Sequence, residues 1–340
     1  MNIFSQSFRI PTSSWMEHLC YNDSQFKLRT LLDITLPGSH DAATYTMNDS
    51  VTARFAVTQT KTLKEQFELG VRYFDIRVHR TKAAKKGKEE ELVFFHNFVK
   101  SAKEDVFPNM MDFLAAIVAS NEVVIFKLHF QSPKDFTLFQ DLYLTPELRA
   151  MIASPDDFKT QSIGKLISDN KRIVLMTNKG GADTDINCDY KSNSFGGWAE
   201  TRSPEKLTTK MNQVRATLDE SASNKLRIVQ TNQPALVGAG GSRFASVLEQ
   251  DQKPESRMVV HKFLDESRTF LTQAIASKNL LQAEKVRQAT RGVISMDNIG
   301  SDGNKNSIVN KIIELNLDDQ TLLMSTEGLE SSGIEMKSFS

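Results

Sequence analysis

The feature that most restricts the fold is a recurrence of short apolar runs separated by stretches of helical period. The runs are Leu31–Leu36, Val71–Val78, Leu92–Phe95, Val123–Leu128, Ile173–Met176, Leu226–Val229 and Val293–Met296. Short, Val/Ile/Leu/Phe-rich runs suit strands buried on both faces. Asn109–Ser120 has apolar residues Met110, Phe113, Leu114 and Ile117 at helical spacing. Ser162–Ser168, Glu205–Leu218, Phe263–Val286 and 304–317 read as further helices. Buried strands alternating with helices predict a parallel sheet. Seven such strands in 340 residues predict an α/β chain closed, or nearly closed, into a β/α barrel. An open doubly wound sheet is the alternative, but no Gly-rich fingerprint follows the first strand. No internal repeat or low-complexity linker divides the chain, so one domain is expected over 1–340.

Charge and cysteine usage narrow the function classes. Lys and Arg number 42, as do Asp and Glu, so the net charge is zero. That balance excludes a polybasic nucleic-acid binder and an acidic-tail protein. Cys20 and Cys188 form neither a disulfide framework nor a zinc pattern, and their pairing stays open. No apolar run approaches the roughly 18–20 residues of a membrane span. The N-terminus lacks a signal-peptide core. The expectation is a monomer in the cytoplasm or at a membrane surface, although non-classical export would leave the same N-terminus. Thr81–Glu91 reads as a charged surface loop, and Gly238–Gly241 as a flexible loop after the sixth strand.

Polar residues gather where these runs end. His40 and Asp41 follow the first, and Asp75 and Arg77 interrupt the second. His96 ends the third and His129 the fourth. Asn178 and Lys179 follow the fifth, Thr231 and Asn232 the sixth, and Asp297 the seventh. Active sites of β/α barrels lie at the C-terminal ends of the strands. Asp75, Arg77 and His79 alternate with Phe74, Ile76 and Val78, so the charged side chains share one face. A buried Asp and Arg must pair with each other or face a ligand. Two histidines suit general acid and base work near neutral pH. An Arg between them would bind a phosphate through its planar fork. His18, His79 and His261 read as structural.

These residues resemble a family. Leu36–Asp41 is similar to the first motif of the X domain of phosphatidylinositol-specific phospholipases C. Thr58-Gln59, Gln66 and Gly70–Arg77 resemble its second-strand stretch, and Leu92–His96 its third-strand motif. Val123–Leu128 resembles its fourth strand, and Trp198 with Thr201 its Trp-Pro-Asn-Thr segment. The likeness runs from about Trp15 to about Asp297. It implies a distorted, incompletely closed TIM barrel. It also implies cleavage of an inositol lipid to diacylglycerol and inositol 1,2-cyclic phosphate. Carried over by position, His40 is the general base and Asp297 orients it. His96 is the general acid with Asp41 as partner, Arg77 contacts the phosphate, and Asp75 helps hold the site.

Differences within the family bear on cofactor and head group. Animal signalling members bind Ca²⁺ through an Asn after the first His and an acidic pair on the second strand. Here Asp41 and Arg77 stand at those positions, so no metal or other cofactor is expected. Bacterial members grip the inositol ring with a fifth-strand Arg and a sixth-strand Asp and Tyr. Here Asn178, Lys179, Thr231 and Gln233 stand there, and His129 takes the place of the fourth-strand Lys or acid. With Trp198 these form the expected head-group contacts. Glycosylated or phosphorylated inositol lipids therefore join phosphatidylinositol as expected substrates. The competing readings are a barrel phosphodiesterase for glycerophosphodiesters or sphingolipids, and a non-catalytic phosphoinositide-binding module.

Overall fold

A computed structural model describes residues 10–47, 56–81, 90–96, 99–179, 183–199, 201, 203–216, 224–232, 254–301, 307–317, 319 and 321–323. Its strands are β1 (Thr35–Ser39), β2 (Tyr73–Arg80), β3 (Leu92–His96), β4 (Val99–Lys100) and β5 (Val124–Phe130). They continue with β6 (Ile173–Thr177), β7 (Asn187–Asp189), β8 (Ser194–Trp198), β9 (Leu226–Gln230) and β10 (Gly292–Met296). Eight strands pair in the order β7-β6-β5-β2-β1-β10-β9-β8. Every pairing along that path is parallel. The sheet curls into a barrel left open between β7 and β8, which do not pair among the described residues. The distorted, incompletely closed α/β barrel expected above is the fold observed. β3 and β4 stand off the path, with β3 antiparallel to β2 and to β4.

Alternation sorts each strand into an outer apolar face and an inner face. On β2, Phe74 points outward and meets Phe113 of helix Lys103–Val118, ring centroids 4.5 Å apart. Phe113 in turn meets Phe126 of β5 at 5.3 Å. This aromatic triple fastens the helix over two neighbouring strands. The inner face of β2 therefore carries Tyr73, Asp75 and Arg77. Parallel register sets Asp75 beside Lys127 and Arg77 beside His129.

Several elements differ from expectation. β1 begins at Thr35, later than the Leu31–Leu36 run. Leu31 and Ile34 are buried, but Thr30–Asp33 forms a turn in which Asp33 accepts from Thr30 N and Oγ1. Burial alone produced that apolar run. Phe263–Val286 is two helices, Pro254–Ala276 and Leu280–Thr290. The break is at Lys278, with φ +55°, and Asn279 caps the second helix through Gln282 N. The last expected helix, 304–317, is Ile308–Glu314 in the described residues. β7 and β8 were not anticipated. Among the described residues no helix is long and apolar enough to cross a membrane. Gly238–Gly241, Gln233 and most of Thr81–Glu91 lie outside the described residues.

Candidate active site

The charged strand ends converge at the C-terminal mouth of the barrel. His40 and Asp41 follow β1 in a turn where Asp41 has φ +42°, a left-handed conformation costly for a non-glycine residue. The Ala42 N–H donates to the Asp75 carbonyl at 2.7 Å, which ties this turn to β2. Asp41 is the hub. Its Oδ2 lies 3.3 Å from His40 Nε2 and 3.2 Å from His96 Nε2. Its Oδ1 takes Arg77 Nε at 2.5 Å. One buried carboxylate thus touches both histidines and the guanidinium.

The histidines are held from behind by different acceptors. His40 Nδ1 meets Asp297 Oδ1 at 2.9 Å. His96 Nδ1 meets the Ala56 carbonyl at 2.8 Å, so that nitrogen carries its hydrogen. Burial alone would lower the His40 pKa. The Asp41 charge, the Asp297 hydrogen bond and the Asp75 charge overcome it and raise the pKa to about 9. Asp75 is 2 % exposed, and Lys127 Nζ donates to its Oδ2 at 2.8 Å. Burial pushes its pKa up, but the Lys127 and His40 charges hold it below the ordinary value. Ligand atoms of His40, Asp41 and Asp75 lie within 4.8 Å of one another. Lys127 lies against Asp75 and Arg77 against Asp41, so each carboxylate of this cluster has a basic side chain beside it.

The expected head-group residues are placed less uniformly. His129 is on the inner face beside Arg77, and burial, then Arg77 and Lys127, lowers its pKa. Asn178 Nδ2 lies 3.3 Å from His129 Nδ1, but its carboxamide is mainly bonded to the Phe130 backbone, through N–H at 2.8 Å and carbonyl at 2.9 Å. Lys179 is exposed. Thr231 turns its hydroxyl to the Ser295 carbonyl, and the Trp198 indole donates to the Asn232 carbonyl at 2.8 Å. The sixth-strand position on the inner face is Asn232, whose buried Oδ1 has no hydrogen-bond partner among the described residues.

Two residues escaped the sequence reading. Lys127 sits in an apolar run with the same parity as His129, and that parity was the available signal. It is Lys127, not His129, that brings a lysine from this strand to the site. Gln59 was visible only as part of a motif.

The molecule is an open parallel barrel with two histidines, buried carboxylates and an arginine gathered at its mouth. Comparison with known proteins agrees. No protein-family model matches the chain. A PI-PLC X-box domain-containing protein of Dictyostelium discoideum is 33% identical over 119 residues, 31% of this chain and 15% of that protein. A 1-phosphatidylinositol phosphodiesterase of Staphylococcus aureus is 26% identical over 216 residues, 61% of this chain and 63% of that protein. The matched region is thus less than two thirds of either relative. Among solved structures, a phosphatidylinositol-specific phospholipase C of S. aureus superposes with a TM-score of 0.59 at 18% identity, over 91% of this chain and 98% of that one. The enzyme of Listeria monocytogenes gives 0.56 at 16% identity, over 91% and 100%. The chain is thus similar in sequence to part of these PI-PLC proteins and similar in fold to the bacterial phosphatidylinositol-specific phospholipases C.

Proposed function

We propose that the chain is a single-domain phosphodiesterase that cleaves phosphatidylinositol-type lipids at a membrane surface, as a monomer and without a metal. The observation that carries this reading is Asp41, one carboxylate contacted by His40, His96 and Arg77. In the proposed reaction the inositol 2-hydroxyl oxygen attacks the phosphorus, and its proton passes to His40 Nε2. The bond from phosphorus to the glycerol oxygen breaks, and that oxygen takes a proton from His96 Nε2. Atoms balance as diacylglycerol and inositol 1,2-cyclic phosphate. Asp297 fixes the His40 ring and stabilises its charged form. Arg77 supports the charge that grows on the phosphate. Asp75, neutralised by Lys127, holds the site together beside His40. His129, Asn178, Lys179, Trp198, Thr231 and Gln233 are the proposed head-group surroundings, with Asn232 added.

The test is ³¹P NMR of the protein with phosphatidylinositol in mixed micelles, with and without excess chelator. A cyclic phosphodiester signal that persists in chelator is expected. Loss of the signal in chelator would favour a metal-dependent barrel phosphodiesterase. Binding of inositol lipids without any turnover would favour a head-group-binding module.

A further inference from the structure

The backbone pairing of β1 with β10 stops at Ser39 and Met296. His40 and Asp297 are the next residues on either side, and one last backbone bond, from the His40 N–H to the Met296 carbonyl at 3.0 Å, holds His40 to β10. The segment Thr58–Gln59 occupies the place of the next rung. Gln59 is fully buried. Its Nε2 donates to the His40 carbonyl at 3.0 Å and to the Met296 carbonyl at 2.9 Å. Its Oε1 accepts the Ile299 N–H at 3.0 Å. Beside it, the Thr58 carbonyl accepts the Asn298 N–H at 2.8 Å, and Thr58 Oγ1 donates to the His40 carbonyl at 3.1 Å. Asp41 and Asn298, one on each side, have φ of +42° and +50°. Residues stay in that region only when their surroundings hold them there.

We propose that Gln59 is a positioning residue: its carboxamide couples the His40 turn to the Asp297 loop and so sets the His40–Asp297 hydrogen bond. The inference rests on the reading of His40 as base and Asp297 as its orienting carboxylate. The Gln59 carboxamide makes all three of its hydrogen bonds to backbone atoms. It bonds the backbone on both sides of the pair, whereas an amide that merely satisfied a turn would need only one side.

The experiment compares Gln59→Met and Gln59→Glu with Arg227→Met in the full chain. Methionine keeps the length and loses all three bonds. Glutamate keeps an acceptor for Ile299 but turns a second oxygen toward two carbonyls. Arg227 is remote, donating to the carbonyls of Gln288, Ala289 and Arg291 at the opposite end of the barrel. Its variant reports the effect of lost stability alone. Three quantities are read: the thermal midpoint, the low-field His40 Nδ1–H resonance in ¹⁵N-histidine-labelled protein, and kcat and KM on phosphatidylinositol micelles. Both Gln59 variants should lose or shift the low-field resonance and lower kcat by roughly 10²-fold, the cost of a misplaced catalytic group. KM should stay within about twofold, because ground-state binding is untouched. Arg227→Met should lower the midpoint and leave the resonance and kcat in place. Gln59 variants that lose stability yet retain the resonance and kcat would overturn the proposal. If the unmodified protein does not turn over phosphatidylinositol, the functional reading fails, and the resonance still decides the role of Gln59.

Discussion

His40 lies between the carboxylates of Asp41 and Asp297, and that placement governs its response to pH. A pKa raised from 6.5 to about 9 leaves the ring charged at neutrality, whereas a general base must be neutral. The acid limb of kcat/KM should therefore lie on the alkaline side of an ordinary histidine, with activity climbing from pH 7 toward 9. A profile already level at pH 7 would remove His40 as the base. The same shift is linked to stability. Because the folded pKa is raised, the contribution is complete below about pH 6.5 and is lost as pH rises through about 9. Its size is on the order of 3 kcal/mol. Denaturant midpoints at pH 6 and pH 10 should differ more for the wild type than for His40→Gln, and equal differences would refute the linkage. Arg77 presents the second residue-scale case. Lys at this position could not grip Asp41 and a phosphate with one planar fork. Arg77→Lys should lower kcat by roughly 10²-fold, as loss of a preorganised donor does. A wild-type rate would take Arg77 out of the mechanism. At this scale the strand-end rule points to His40, Asp41, His96 and Asp297, and strand alternation to Asp75 and Arg77, and the structure brings these six side chains to one end of the barrel. Neither rule could say where Asn178 and Thr231 would point. A short polar side chain at a strand end can bond a neighbouring backbone as readily as a ligand, and both of these do.

Strands were legible where burial on both faces demanded apolar residues, and illegible where packing demanded something else. β8 reads Ser-Phe-Gly-Gly-Trp, with no β-branched residue, because it lies hard against β9. A Cβ on Gly196 would stand 1.9 Å from the Ile228 carbonyl oxygen, and the residue has φ +144°. Only glycine allows that approach. Gly196→Ala should free β8 from β9 and cost about 2–4 kcal/mol, within the range for strain at a special backbone position. Hydrogen exchange should show the lost protection in residues 194–198 and 226–230 before any global unfolding. Unchanged protection there would mean that the strand pair can shift to admit a methyl group. β7 is only three residues long, below the length at which periodicity is readable. Helix positions were legible from spacing, but their ends depended on caps. Asn279 divides the long apolar pattern into two helices by a single side-chain bond to Gln282 N. That bond leaves the period of the pattern intact, so periodicity alone joined the two.

Across the whole molecule, the two ends of the barrel use charge differently. At the mouth, Asp41 is shared among His40, His96 and Arg77, and Asp75 Oδ1 has no hydrogen-bond partner among the described residues. Such groups can exchange contacts when a substrate arrives. At the floor, Arg72 is fully buried and each of its donors is used. Nε meets Glu122 Oε2 at 2.7 Å, Nη1 reaches the Phe67 and Val71 carbonyls, and Nη2 reaches the Thr12 and Ser13 carbonyls and Glu122. Glu122 also accepts the Met16 and Glu17 N–H groups at the start of helix Trp15–Asn22. Arg172 closes the end of helix Lys103–Val118 through the Ile117, Val118 and Ser120 carbonyls. Charge that is fully bonded in the resting fold has nothing left to offer a ligand, so the floor contributes to stability alone. The sharpest test is Glu122→Gln, which keeps shape and removes the charge opposite Arg72. Leaving a buried guanidinium uncompensated should cost about 3–5 kcal/mol. The denaturant midpoint should fall accordingly, while kcat of the folded fraction at low temperature should not move, since β2 and β5 run their full lengths between this pair and His40. A lower kcat with an unchanged midpoint would show that the two ends are coupled, and the division of labour argued here would be wrong.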